Sequence, residues 1–320
     1  QKPFEYLVLG LDPAAWRPED SALAVWAMFL TLNDETGGGE SARGLLRDVL
    51  PLELAEFLDP SGTEWDAPVV GEIYDAPPIP GPEVFDLRRQ GLGRAAAVGD
   101  PGGPREGFLP GSNNWAVAPE RTAHGHAILA DDMHLGISVP NTWYRARMQW
   151  AGSDGSRHDV TGVTLPGAPA IVVGSNGHVA WGFTNTGGDW VDLIVVETHP
   201  DDPDRYLTPE GYRSFESHVE RIAVHGEESR AFEISSTIWG PVIDEDHRGR
   251  TRALRWTAHL EDGVNMRFVD TERARTLEEA QRVANESGIP PQNFVCVEAD
   301  GNNGWTVMGR IPRRMGHDGR

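Results

Sequence analysis

Lysine is all but missing from this 320-residue chain: Lys2 is the only one, and every other strong cation is an arginine. Against 28 basic residues stand 49 acidic ones, a formal net charge of −21 spread without an acidic block or a basic tail. That balance argues against nucleic acid or any other polyanionic partner. Cysteine is as scarce. Cys296 stands alone, which excludes an internal disulfide and leaves the redox compartment open. No apolar run approaches the roughly 20 residues of a membrane-spanning helix, so no membrane partner is expected. Gln1-Lys2-Pro3 does not read as a signal peptide, and no initiator methionine is present. The chain is expected to be a piece of a longer one.

What is there is enough apolar content, 39%, to fill a sizeable core. Residues 1–60 read as helical. Ala22, Val25, Trp26 and Phe29 recur at helical spacing after Pro18, a suitable first-turn residue. A second helix is predicted over Ser41 to Val49, and Pro51 opens a third. From about Asp75 the character changes to Pro77, Pro78, Pro80 and Pro82, then Pro101-Gly102-Gly103-Pro104 and Pro110-Gly111. This composition predicts a linker. Beyond it the pattern is β-rich, with strands expected over Asn114–Ala118, His126–Ala130, Trp143–Trp150, Ala170–Gly174, His178–Thr184 and Val191–Glu197. Ser175-Asn176-Gly177 signals a hairpin. A late helix starts at a Thr276/Glu279 capping box and stops at Gly288 and Pro290. Cys296 falls within a strand of the hairpin that follows it. Helices, then strands, then one helix returning to strands is an α+β pattern.

At the seam between linker and strands the chain reads Leu109-Pro110-Gly111-Ser112-Asn113-Asn114-Trp115-Ala116-Val117. The run from Ser112, "SNNWAVAPERTAHGHAILADDMHLG", resembles the start of the catalytic β-chain of the penicillin acylase family of N-terminal nucleophile hydrolases. "PGAPAIVVGSNGHVAWGFTNTGGDWVDL" and "NFVCVEADGNNGWTVMGRIPRR" extend the resemblance downstream, and "RPEDSALAVWAMFL" resembles the end of the family's α-chain. The resemblance implies an αββα four-layer sandwich. It divides the chain into the end of an α-chain (1–74), a spacer (75–111) and the start of a β-chain (112–320). It also implies a precursor that cuts itself between Gly111 and Ser112.

Elementary chemistry suits that serine. A hydroxyl needs a base to become a nucleophile. A serine released as a new N-terminus carries one on its own backbone, an α-amine of pKa about 7.7–8.0. While the Gly111–Ser112 bond is intact the nitrogen is an amide and not basic.

The resemblance assigns further roles. His134 matches the position beside the catalytic amine, where it could orient amine and hydroxyl. Asn185 matches the family's backbone N–H donor to the oxyanion. The family's additional asparagine side-chain donor has no match before Arg320; Asn302 and Asn303 belong to a turn. The 320 residues alone are therefore expected to be inactive. Met133, Leu135, Val172 and Val173 match the acyl-pocket wall, with Leu135 and Val173 standing where penicillin G acylases carry phenylalanine, so an aliphatic or glutaryl-like acyl group is expected. Asp189, Val191 and Asp192, joined by Glu40, resemble the family's calcium loop and imply a structural Ca²⁺, with no cofactor needed for the chemistry. A zinc cluster of His124, His126 and His134 with Asp131 and Asp132 fits no known ligand spacing.

The function expected is hydrolysis of a linear acyl amide, such as a penicillin-like compound, through an acyl-enzyme on Ser112. The expected partners are a small-molecule substrate and the α- and β-chains of one precursor, in the periplasm or outside the cell. An acyl-homoserine-lactone acylase and a non-catalytic, unprocessed relative are the alternatives.

Overall fold

A computed structural model describes residues 2–33, 37–60, 62–63, 75–86, 88–89 and 112–315. Most of the expected spacer, Gly111 included, lies outside the described residues. The chain forms two compact units, each assembled from separated segments. Unit 1 takes residues 2–33, 112–188 and 257–311; unit 2 takes the described residues from 37 to 89, then 189–256 and 312–315. The α+β class holds.

Unit 1 contains helices α1 (Phe4–Leu9), α2 (Pro18–Leu32) and α5 (Leu277–Glu286). Its strands are β1 (Asn113–Val117), β2 (Ile128–Asp132), β3 (Tyr144–Ala151), β4 (Arg157–Thr164), β5 (Val173–Ser175), β6 (Val179–Asn185), β15 (Gln292–Glu298) and β16 (Asn303–Met308). Six of these form an antiparallel sheet in the order β16-β15-β6-β5-β4-β3, while β1 and β2 pair as a separate hairpin. Trp181, Phe183, Phe294, Cys296 and Met308 fill the core from the sheet; Leu277, Ala280 and Ala284 meet them from α5, and Val25 from α2. Phe183 and Phe294 sit opposite one another across β6 and β15, with ring centroids 5.5 Å apart. Cys296 is buried as its strand position implied, and burial pushes its thiol up to about 12, which makes it inert.

Local rules explain most boundaries. Pro18 begins α2, and the Thr276 hydroxyl accepts from the Glu279 amide at 3.2 Å to start α5. The β5–β6 hairpin forms at Asn176-Gly177: Asn176 Oδ1 accepts from the amides of His178 and Val179, and Gly177 takes φ +84°. Two expectations are corrected. The strand predicted over Ala170–Gly174 is only β5. Ile171 donates its N–H to the buried Glu272 carboxylate at 2.8 Å, where a strand would need a ladder partner. The strand β4 escaped the sequence reading because Arg157, Asp159 and Thr161 face water and break up its apolar pattern. In the β2 segment the strand begins two residues later than expected, after the His124–His126 turn.

Unit 2 contains α3 (Gly38–Val49) and α4 (Leu52–Leu58). Its strands are β7 (Val191–Val195), β8 (Thr198–His199), β9 (Asp202–Thr208), β10 (Gly211–Ser214), β11 (Glu216–Ile222), β12 (Arg230–Ser236), β13 (Val242–Glu245) and β14 (Thr251–Trp256). They make two three-stranded sheets, β13-β14-β7 and β10-β9-β8, and the hairpin β11-β12. Val196, Tyr206 and Ala253 form one apolar cluster in it, and the Tyr206 hydroxyl accepts from the Ile238 amide at 2.8 Å.

Candidate active site

The register of one hairpin places the serine. Asn113 pairs with Asp132 and Asn114 with Asp131, so Ser112 lies just before the first paired residue, beside Met133 and His134, which follow the last. The His134 backbone N–H donates to Ser112 Oγ at 3.3 Å. The His134 ring is held by Asp132, with Nε2 and Oδ2 3.1 Å apart, the tautomer deciding which atom donates. His134 therefore reaches the serine through its main chain.

Two polar links tie the hairpin to the six-stranded sheet. Asn114 Nδ2 donates to the Asn293 carbonyl at 3.4 Å, and the Phe183 amide donates to Asp131 Oδ2 at 3.3 Å. Gly182 makes the second link possible, since a Cβ there would stand 3.1 Å from the Asp131 side chain. Burial raises the Asp131 carboxyl to about 6, the Phe183 N–H pulling it down and neighbouring Asp132 pushing it up. Among the described residues its buried Oδ1 has no hydrogen-bond partner.

Ser112 opens into a cavity of ≈ 100 Å³. Met133, Leu135, Val172 and Val173 all line it, as does Asn185. The structure thus brings six of the sequence-predicted residues around one space. The sequence reading missed the opposite wall, which α2 supplies through Val25, Met28 and Leu32. Their spacing of three and four residues on one helix face was the available signal. It also missed Gln292, a buried polar residue on the same cavity. Among the described residues, every one on the cavity wall apart from Ser112, Asn185 and Gln292 is apolar.

Around Asn185 a set of amides fixes the geometry. Asn185 Nδ2 donates to the Leu32 carbonyl at 3.1 Å, its Oδ1 accepts from Gln292 Nε2 at 3.2 Å, and its backbone oxygen accepts from Asn293 Nδ2 at 3.3 Å. Its backbone N–H can serve an oxyanion only if the strand end stays rigid, and these contacts supply that rigidity.

Glu40, Asp189, Val191 and Asp192 belong to unit 2. Arg314 meets the two aspartates: Nη2 lies 3.1 Å from Asp189 Oδ2 and 3.0 Å from Asp192 Oδ2, Nε donates to Asp192 Oδ1, and Nη1 to the Asp189 carbonyl. Burial raises the Glu40 carboxyl and Asp189 adds to it, while Arg43 opposes and Asp192 raises it further. A guanidinium lies on two of the carboxylates that the resemblance assigns to calcium. Among the described residues no three His, Cys, Asp or Glu side chains are grouped to hold a metal. His124 and His126 stack on one another, ring centroids 5.6 Å apart.

Comparison with known proteins fits this geometry. The penicillin amidase family model matches residues 1–320. The acyl-homoserine lactone acylase QuiP of Pseudomonas aeruginosa is 27% identical over 335 residues, taking in 98% of this chain and 37% of that protein. The penicillin acylase 2 proenzyme of Pseudomonas sp. strain SE83 is 31% identical over 212 residues, 65% of this chain and 27% of that one. The structure of a thermostable penicillin G acylase from Alcaligenes faecalis superposes with a TM-score of 0.56 at 26% identity, covering 63% of this chain and 36% of that one. The matched stretches thus span between about a quarter and little more than a third of the length of these relatives. With the family model running from its first residue to its last, this chain belongs to the penicillin amidase family.

Proposed function

We propose that this chain carries the nucleophile and the acyl pocket of an acylase that hydrolyses linear amides of apolar, aliphatic acyl groups. The observation that carries the reading is Ser112 at the mouth of an apolar cavity, its Oγ already receiving a hydrogen bond from the His134 amide. Maturation cleaves the bond before Ser112, and the new α-amine takes the hydroxyl proton as Oγ attacks the amide carbonyl. The Asn185 N–H and a donor from the rest of the protein hold the oxyanion, the amine proton passes to the leaving nitrogen, and water resolves the ester. The His134 ring, oriented by Asp132, steadies this proton traffic.

The cavity wall narrows the substrate. A glutaryl-like group ends in a carboxylate that needs a cation, and among the described residues no Lys, Arg or His borders the cavity. An uncharged aliphatic chain matches the lining, and acyl-homoserine lactones, for which several relatives are named, are amides of that type. The β1–β2 hairpin and six-stranded sheet of unit 1 are, in this reading, part of the family's αββα sandwich.

The test uses the full-length protein. Intact-mass analysis should find two chains, the second starting at Ser112, and medium-chain acyl amides should be hydrolysed faster than phenylacetyl amides. A chain that stays whole and inert after long incubation would favour a non-catalytic relative, and a phenylacetyl preference would reject the aliphatic pocket.

A further inference from the structure

Val172 and Val173 stand on the cavity wall, and β5 begins only at the second of them. Ile171, just ahead, has both main-chain groups held by side chains. Its N–H donates to Glu272 Oε1 at 2.8 Å, and its carbonyl accepts from Trp181 Nε1 at 3.3 Å. All three residues are buried. Glu272 belongs to the 3₁₀ helix Arg267–Arg273, which also carries Phe268, another residue of the cavity wall. The same stretch is held a second time. Asn176 Nδ2 donates to the carbonyls of Glu272 and Ala274, at 3.2 and 2.6 Å. The short strand β5 is thus fastened ahead of its start and just past its end to residues 272–274. A carboxyl in this place is costly: burial raises it, while the Ile171 N–H and Arg273 pull it down. No step of acyl transfer uses it.

We propose that Glu272 is a positioning residue for acyl-chain selectivity: by tying Ile171 to the helix of Phe268, it fixes two stretches of cavity wall against each other and so limits the length of the acyl group accepted. A cavity discriminates by one methylene only where its walls do not yield. Without the acceptor the Ile171 N–H is left buried and unpaired, so its segment shifts to find a partner, and Val172 and Val173 move with it. Ser112 and Asn185 are held by other groups, so acyl chains that already fit keep their chemistry. The inference rests on the acylase reading and adds what keeps the acyl pocket to its size.

The experiment follows anilides of straight-chain acids from butanoyl to dodecanoyl, using processed full-length enzyme normalised by active-site titration. The wild type should have a best chain length and a steep fall in kcat/KM beyond it. Glu272→Met, similar in length but without an acceptor, should make that fall about tenfold shallower and leave kcat on the best chain within about twofold. Glu272→Gln still offers Ile171 an oxygen and should keep the wild-type profile. Thr276→Ala removes the cap of α5 in the same unit and should lower Tm without changing the profile. An unchanged profile in Glu272→Met, a uniform loss at every chain length, broadening in Glu272→Gln, or equal broadening in Thr276→Ala would each overturn the proposal. Glu272→Asp withdraws the carboxylate by one methylene and should broaden the profile even if the methionine variant fails to fold; a profile as sharp as the wild type's overturns it. A wild type with no fall up to dodecanoyl overturns this proposal alone, whereas one that hydrolyses none of the anilides sinks the acylase reading itself.

Discussion

Around the cavity of unit 1 and around Asp48 and Arg252 of unit 2, polar groups are held by different means. Unit 1 does so with neutral amides on a large apolar base: Leu32, Asn114, Asn185, Gln292 and Asn293 are linked by directed hydrogen bonds above a core of Trp181, Phe183 and Phe294. Unit 2 does so with ion pairs. Asp48 meets His247, Arg248 and Arg250, while Arg252 reaches Asp244 and the Ser41 hydroxyl. Asp246 is held well below the usual carboxylate range: burial works against this, but the Arg250 guanidinium and the amides of Arg250 and Arg248 outweigh it. Amide networks fix direction without bringing charge into the cavity, which suits a site that must orient an apolar substrate. Ion pairs tolerate loose geometry and water, which suits a scaffold.

The sharpest way to break this contrast is Ser112→Ala in the full-length protein. It should abolish both chain cleavage and acyl-amide hydrolysis, a loss of at least about 10³-fold, read by intact mass and turnover. Surviving activity would remove unit 1 from the chemistry altogether. Next in size, Leu135→Phe fills part of the cavity and should shift preference toward acyl chains shorter by one or two methylenes, about tenfold in relative kcat/KM. An unchanged chain-length profile would place the acyl group elsewhere.

In unit 2, Arg314→Gln leaves Asp189 and Asp192 without their cation and should cost about 1–2 kcal/mol, seen as a lower Tm. Chelation of the wild type with EDTA should leave Tm unchanged, and a drop on chelation would show a metal among these carboxylates. The smallest effect concerns a buried carboxyl of unit 1, that of Asp131. Its folded pKa of about 6 lies above the ordinary 3.8, so the protonated form is favoured in the fold. Stability from this group is complete below about pH 4 and falls as pH rises toward 6. Asp131→Asn should therefore gain about 1 kcal/mol at pH 7, the shift being discounted for partial exposure, and nothing at pH 4, as read by urea melts at the two pH values. An equal gain at both pH values would show that charge is not the cause.

Much of this was legible in the residues. Pro18, Thr276 and Asn176-Gly177 act within a few residues of themselves, so their helix starts and hairpin follow from local chemistry. Six candidate site residues, read through a family resemblance, met at one cavity. Gln292 was not legible, because nothing in "PPQN" says that its side chain will answer an asparagine 107 positions earlier in the chain. Arg314 was not either: its partners lie more than 120 positions away.

By itself the sequence determined the local pieces: where helices start, where chains turn, which strands alternate, and which serine stands at a seam fit for release as an N-terminus. Only the tertiary structure decided that α2 lines the apolar cavity, that Gln292 meets Asn185 there, and that an arginine answers the acidic loop. The reason is reach. Caps and turns are decided by atoms within about four residues along the chain, whereas cavities and counter-charges depend on residues that meet only when distant segments pack.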